Sequence, residues 1–223
     1  TKNGLTKQVT LKDLVVSRYT KPLTIMKLKG DDELVSVSYS YDNILVVTKN
    51  GYYLEYKESE ISILGPKASG VKGISLKDDE VIYASSINET QEYLNVFTNY
   101  RTGKRVKLND LAMMSRGKKG SMLFKKVKAK DYKLQNAYLT NSKDLNYLKN
   151  ENDFIELKNS DIPIMDLMST GSTVSKTDVN NYFLKPELII YKEEKVIKEK
   201  EEIIKDKPKE QMSFDEFIDD FKI

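Results

Sequence analysis

The sequence predicts an all-β, propeller-like array of four-stranded blades, and three observations carry that prediction. The first is an internal repeat. Thr1-Lys-Asn-Gly4 returns unchanged as Thr48-Lys-Asn-Gly51, a shift of 47 residues, and Leu28-Lys-Gly-Asp-Asp-Glu33 returns as Leu76-Lys-Asp-Asp-Glu80 with its glutamate moved by the same amount. The second is an acidic-aliphatic pair, found at Asp13-Leu14, Glu60-Ile61, Asp110-Leu111 and Asp161-Ile162 in steps of 47, 50 and 51. The third is strand-like patterning inside each copy, broken by turn residues. A β-sandwich with coincidental spacing is the alternative, and the two words matched at one offset disfavour it.

The elements follow in order. Ile44–Val47 is an apolar β-branched run, Lys49-Asn-Gly51 is a type I′ hairpin signal, and Tyr52–Tyr56 alternates back. Leu94–Thr98 and Val106–Leu108 repeat this around Thr102-Gly103, and Leu145–Leu148 with Phe154–Leu157 repeat it around Asn150–Asp153. A loop bearing glycine or lysine follows each acidic-aliphatic pair. A third strand is expected at Leu23–Leu28, Ile74–Leu76 and Met122–Val127, then an acidic turn, then a fourth strand at Leu34–Tyr39 and Val81–Ile87. Four short strands per copy define about four repeats, near residues 1–40, 41–88, 92–140 and 144–190. The acidic turns Asp31-Asp-Glu33 and Asp78-Asp-Glu80 read as hairpin-tip residues rather than metal ligands.

Composition narrows the chemistry. Hydrophobic residues make up 39% of the 223 and charged residues 32%, and no apolar run approaches the roughly 20 residues a membrane helix needs. The N-terminal stretch does not read as a signal peptide. With no Cys and no His, the chain offers no thiolate metal site, Cys nucleophile, Ser-His triad or His-metal centre. No carboxylate pair stands in a convincing context either. A binding module is therefore expected rather than an enzyme, with no catalytic and no metal-binding residues.

The net charge of +3 conceals a segregation of sign. From Thr98 to Lys133 the chain carries twelve Lys or Arg against Asp110 and Asp131. At the centre, Ser115-Arg-Gly-Lys-Lys-Gly120 sets cations among glycines, a backbone that a polyanion can approach closely. Arg18-Tyr-Thr-Lys-Pro22 and Ser69-Gly-Val-Lys-Gly73 lay over Arg116-Gly-Lys-Lys-Gly120 with Lys fourth and a small or bending residue fifth; Thr170-Gly-Ser-Thr-Val174 keeps one glycine and no charge. Loops at equivalent positions would share one basic rim, suited to the regularly spaced phosphates of bent duplex DNA. The expected DNA contacts are Arg18, Lys21, Lys67, Lys72, Arg101, Lys104, Arg105, Arg116, Lys118, Lys119, Lys125 and Lys126. A propeller used for protein–protein contact is the alternative. After Tyr191 the pattern stops: residues 192–209 are Lys/Glu-rich, and Ser213 opens an acidic amphipathic segment with Phe214, Phe217, Ile218 and Phe221 at helical spacing.

These residues resemble a known family. Met114-Ser-Arg-Gly-Lys-Lys-Gly120 resembles the gyrase box, Gln-Arg-Arg-Gly-Gly-Lys-Gly, keeping its second Arg, first Gly, Lys and last Gly. Arg18-Tyr-Thr-Lys-Pro-Leu23, Lys67-Ala-Ser-Gly-Val-Lys-Gly-Ile-Ser-Leu-Lys-Asp-Asp79 and the Lys-Asn-Gly hairpins are similar to the C-terminal domain of the A subunit of bacterial topoisomerase IV, Gram-positive type. The resemblance implies a β-pinwheel over residues 1–191, followed by a charged linker and acidic tail over 192–223. It implies a non-catalytic DNA-binding and DNA-bending appendage of an ATP-dependent type IIA topoisomerase that biases which DNA crossings are used for decatenation and supercoil relaxation. Met114 and Ser115 replace the Gln and first Arg of the box, which favours topoisomerase IV over a gyrase-type wrapping domain. The active-site tyrosine, ATP and Mg would belong to other domains or subunits, so this part carries no cofactor and takes no small-molecule substrate. The implied partners are duplex DNA, the remainder of the A subunit and, through it, the B subunit. The implied location is the bacterial cytoplasm, at the nucleoid, with a peripheral position at the inner face of the cell membrane as an alternative. Because the chain opens at a hairpin turn, earlier blades are expected to precede Thr1 in the full-length protein.

Overall fold

In the computed structural model, residues 1–16, 18 and 20–185 are described. The linker and tail expected at 192–223 lie outside them. The second repeat shows the plan most fully. Strands β2 (Asn43–Thr48) and β3 (Tyr52–Lys57) form an antiparallel hairpin, and β5 (Val81–Ile87) pairs back onto β2. The third repeat builds the same sheet from β6 (Tyr93–Thr98), β7 (Thr102–Lys107) and β9 (Leu134–Thr140). The fourth uses β10 (Leu145–Lys149), β11 (Phe154–Lys158) and β13 (Asn181–Leu184). A 3-10 turn follows each hairpin, at Glu58–Glu60, Leu108–Asp110 and Asn159–Asp161. The acidic member of each recurrent pair closes that turn.

In the first three repeats the sheet gains a strand donated by the next repeat. Two-residue β4 (Val71–Lys72) joins β1 (Leu5–Thr6) of the first repeat, β8 (Ser121–Met122) joins β3, and β12 (Ser172–Thr173) joins β7. The sheet orders β5-β2-β3-β8 and β12-β7-β6-β9 record this exchange. It excludes a sandwich of independent sheets and gives the β-pinwheel. Among the described residues of the first repeat, only β1 and a 3-10 turn at Leu11–Leu14 are regular. The strands expected at Leu23–Leu28 and Leu34–Tyr39 do not form, and those expected at Ile74–Leu76 and Met122–Val127 give way to β4 and the short β8.

The hairpin turns correct a second expectation. In Thr48–Gly51 only Gly51 has positive φ (+83°), with its N–H 3.0 Å from the Thr48 carbonyl. A type I′ turn needs positive φ at both central residues, so this is a type I turn followed by a left-handed glycine. Gly4 (+80°) repeats it, and in the third repeat Arg101 (+58°) occupies the same position. Thr102-Gly103 therefore lies in β7, and the turn falls at Asn99–Arg101. The acidic turns hold these tips. Asp32 accepts from the Asn3 and Glu33 N–H groups, and Asp79 from those of Asn50 and Glu80, all at 2.9 Å.

The β2–β3 and β6–β7 hairpins lie between packed sheets and are buried on both sides, so β2 and β6 read as near-continuous apolar runs, whereas β11 of the fourth repeat is largely exposed. Alternate residues face opposite neighbours. Leu45 and Val47 join Leu94, Val96, Leu123 and Leu139 in one cluster, while Val46 joins Leu54, Tyr56, Ile74 and Val81 in another. A third cluster, around Phe97, Leu148, Ile162 and Tyr182, ties the third repeat to the fourth, with the Phe97 and Tyr182 rings stacked at 4.3 Å.

Candidate nucleic-acid interface

The loop between each 3-10 turn and its donated strand is positioned by a glycine. Gly70, Gly120 and Gly171 have φ of +91°, +84° and +82°, and each immediately precedes β4, β8 or β12. A Cβ at Gly120 would stand 2.0 Å from the Tyr53 carbonyl oxygen; at Gly70, 2.5 Å from that of Thr6; at Gly171, 2.9 Å from that of Gly103. Both the left-handed backbone and the approach to the preceding blade require glycine. This corrects the loop alignment drawn from the sequence. Lys67-Ala-Ser-Gly70, not Ser69–Gly73, is the counterpart of Gly117–Gly120, and Lys72 lies in β4 rather than in the loop.

The box loop of the third repeat docks on the second. The Gly117 N–H donates to the Gly73 carbonyl at 2.8 Å, and the Ser75 N–H to that of Lys118 at 2.9 Å. Arg116 works as a clamp. Its main-chain N–H donates to the Glu60 carboxylate and its Nε to the Glu60 carbonyl, both at 2.8 Å, while Nη1 donates to the Lys72 carbonyl. Lys118 and Lys119 are exposed, with the Lys119 ammonium 4.4 Å from the centre of the Tyr52 ring. The exposed Lys72 side chain passes beside Gly117. Lys72, Lys118 and Lys119 are thus brought together around the box loop.

Other candidates are placed differently. Lys104 is 1% exposed, and its ammonium donates to the carbonyls of Leu123, Asp166 and Leu167 at 2.6–2.7 Å. Burial lowers its pKa to about 8, opposed by the Asp166 carboxylate. Arg105 is also buried, its Nε donating to the Ile162 carbonyl at 2.7 Å and its guanidinium over the Tyr93 ring. Neither can meet a phosphate where it stands, so both leave the candidate set. Arg101 is half-exposed and paired with Asp178 at 3.0 Å. Lys67, Arg18 and Lys21 are exposed, the latter two on a stretch without regular structure. Lys125 and Lys126 are exposed on the connection after β8, together with Lys128 and Lys130, which the candidate set omitted.

Lys7 is the residue that sequence reasoning missed. It directly follows β1, at the position corresponding to Leu54 and Lys104, and its ammonium donates to the carbonyls of Ile25, Pro66 and Ala68. Desolvation lowers its pKa as well. Its spacing from Lys104 across two repeats was the available signal.

Strand-exchanged four-stranded sheets, joined through glycine-gated loops, define a β-propeller-like class, the β-pinwheel. The chain belongs to the DNA gyrase C-terminal domain, beta-propeller family, whose profile matches residues 1–39, 42–88 and 92–141. The DNA topoisomerase 4 A subunit of Staphylococcus epidermidis is 31% identical over 182 residues, 80% of this chain and 23% of that protein. Its Bacillus subtilis counterpart is 33% identical over 136 residues, 60% of this chain and 17% of that protein. The chain thus spans about a fifth of the length of these relatives. Among solved structures, a topoisomerase IV C-terminal domain aligns with TM-score 0.75 and 32% identity, covering 82% of this chain and 59% of that one. A gyrase A C-terminal domain aligns with TM-score 0.69 at 16% identity, covering 83% and 64%, a likeness of fold alone.

Proposed function

We propose that this chain is a non-catalytic duplex-DNA-binding and DNA-bending element of a type IIA topoisomerase, of the topoisomerase IV kind, acting with the remainder of the A subunit and with the B subunit. The observation that carries the reading is the box loop. Its backbone is fastened to the preceding blade by Arg116, Gly117 and Gly120, while Lys118 and Lys119 remain exposed beside Lys72. Fixed backbone and free ammonium groups suit phosphate contacts without base readout. Strand scission and ATP use fall to other parts of the enzyme, and the working location is the bacterial nucleoid. By holding a DNA segment along its basic loops, the element would bias which crossings are decatenated or relaxed.

Duplex binding measured against salt tests this. Several phosphate contacts give a slope of log affinity on log salt of at least about −3, at about −0.9 per neutralised phosphate. Binding unchanged between low and physiological salt would overturn the reading. Topoisomer distributions after relaxing plasmid in the presence of the chain test the bending.

A further inference from the structure

The connection after the donated strand differs sharply between the second and third repeats. In the second it runs Ile74–Glu80 and ends in the acidic turn Lys77-Asp-Asp-Glu80. In the third it runs Phe124–Lys133, three residues longer, and carries Lys125, Lys126, Lys128, Lys130 and Lys133 against Asp131 alone. The sign of charge is therefore reversed at one place in the repeat. Around Glu80, Lys49 and Lys2 pair at 2.7 and 3.6 Å. At the corresponding site Lys133 reaches Asn50 at 2.6 Å and Asp131 at 3.2 Å, leaving Lys125, Lys126, Lys128 and Lys130 outside every ion pair among the described residues.

This loop lies across the tips of two hairpins. The Leu134 N–H donates to the Lys49 carbonyl at 2.8 Å, and the Asn99 side chain to the Asp131 carbonyl at 3.1 Å. Lys126, Lys128, Lys130 and Lys133 line a recess of about 240 Å³ floored by Phe124 and Tyr132. Tyr100 stands at the neighbouring tip, its ring 4.7 Å from that of Tyr132, with the Lys130 ammonium 5.3 Å from its centre. The aromatic floor props the lysines on a packed surface, so their charge is concentrated at low conformational cost. From Lys118 to Lys130 the chain has no acidic residue, and the path passes from the box loop, by β8, to the hairpin tips.

We propose that the hairpin-tip face of the third repeat is a second phosphate-binding site for duplex DNA, continuous with the box loop, so that a bound duplex leaves the box loop across the tips. The inference rests on the reading of this chain as a duplex binder. Two variants of the full chain separate the ideas: Lys126→Ala/Lys128→Ala/Lys130→Ala at the tips and Lys118→Ala/Lys119→Ala at the box loop. All five side chains are exposed, so thermal unfolding should match the parent; Lys128→Glu alone serves if the triple variant folds poorly. In duplex titrations against salt, each lost contact should reduce the slope by about 0.9. The tip variant is expected to lose about two such contacts and at least about tenfold in affinity, with further loss on combination with the box-loop changes. A parent that does not bind duplex would sink the proposed function itself. A parent that binds, a box-loop variant that weakens and a tip variant with the parent's slope would overturn only the second site. Loss of binding to anionic vesicles or acidic peptide with duplex binding intact would also overturn it, by assigning the face to another partner.

Discussion

The junction between the second and third repeats and that between the third and fourth share a plan but are fastened by different side chains. At both, a left-handed glycine lies against the preceding hairpin and a two-residue strand completes its sheet. At the later junction Lys104 reaches forward from β7 and gathers the Asp166 and Leu167 carbonyls of the next loop. At the earlier one the corresponding residue is Leu54, which has no donor, and Arg116 reaches back from the loop to Glu60 and Lys72. The first junction repeats the lysine solution with Lys7. A cation in these repeats can therefore be a fastener rather than a ligand contact. Where arginine does the fastening, the lysines that follow it are left free.

The largest effect should come from the shared glycine. Gly120→Ala forces both the strained φ and a 2.0 Å approach to the Tyr53 carbonyl, and should cost about 4 kcal/mol or more in urea unfolding. Gly171→Ala, with 2.9 Å available, should cost less, and Gly117→Ala, where the nearest atom is 3.7 Å away, only about 1–2 kcal/mol from its φ. Equal losses at the three positions would mean that approach distance does not distinguish the junctions.

The two fasteners come next. Lys104→Met leaves the Leu123 and Leu167 carbonyls without a donor, at about 1–3 kcal/mol each, partly offset because an ammonium no longer has to be desolvated. A net loss of about 2–3 kcal/mol is expected, concentrated in hydrogen exchange of the third and fourth repeats. Arg116→Ala removes bonds at a half-exposed site and should cost about 1 kcal/mol. Reversal of that order would make arginine the stronger device.

Titration sharpens the contrast further. Folding lowers the Lys104 pKa to about 8, so above pH 8 the unfolded chain holds the extra proton and stability rises with pH until the unfolded value of 10.5. Between pH 8 and 9.5 the parent should gain about 1–2 kcal/mol relative to Lys104→Met, read as the shift in urea midpoint. Tyr182 acts in the opposite sense at higher pH. Burial raises its pKa from 10 to about 12, so its contribution is present below pH 10 and is lost as pH climbs toward 12. A difference between parent and variant that does not change with pH would show that Lys104 keeps its proton throughout.

The smallest effect belongs to the fourth loop. Replacing exposed Ser172 and Thr173 by Ala should leave duplex affinity within error of the parent, whereas Lys118→Ala/Lys119→Ala should not.

The repeat, the hairpins and the family were legible because they are written in short-range words: Thr-Lys-Asn-Gly, the acidic-aliphatic pair, the apolar runs of β2 and β6. The exchange of the donated strand was not, since a two-residue pairing partner some seventy positions away leaves no local pattern. The box-loop register was missed by matching lysines, which are free to vary, instead of glycines, which are not. The correct signal was present: Gly70, Gly120 and Gly171 each stand ten residues after the acid of the recurrent pair. Lys104 and Arg105 are expected among the DNA contacts because charged side chains are usually exposed. Their correspondence with buried Leu54 and Glu55 was the warning, and only the packing shows which carbonyls accept from them.

Strand donation also imposes an order on synthesis. Tyr52 waits for Met122, and Gly103 for Ser172, before the outer edge of each sheet is covered. A ribosome adding about 5–20 residues per second needs several seconds to deliver the missing strand. During that interval each nascent hairpin presents an unpaired edge able to recruit a neighbouring chain on the same polysome.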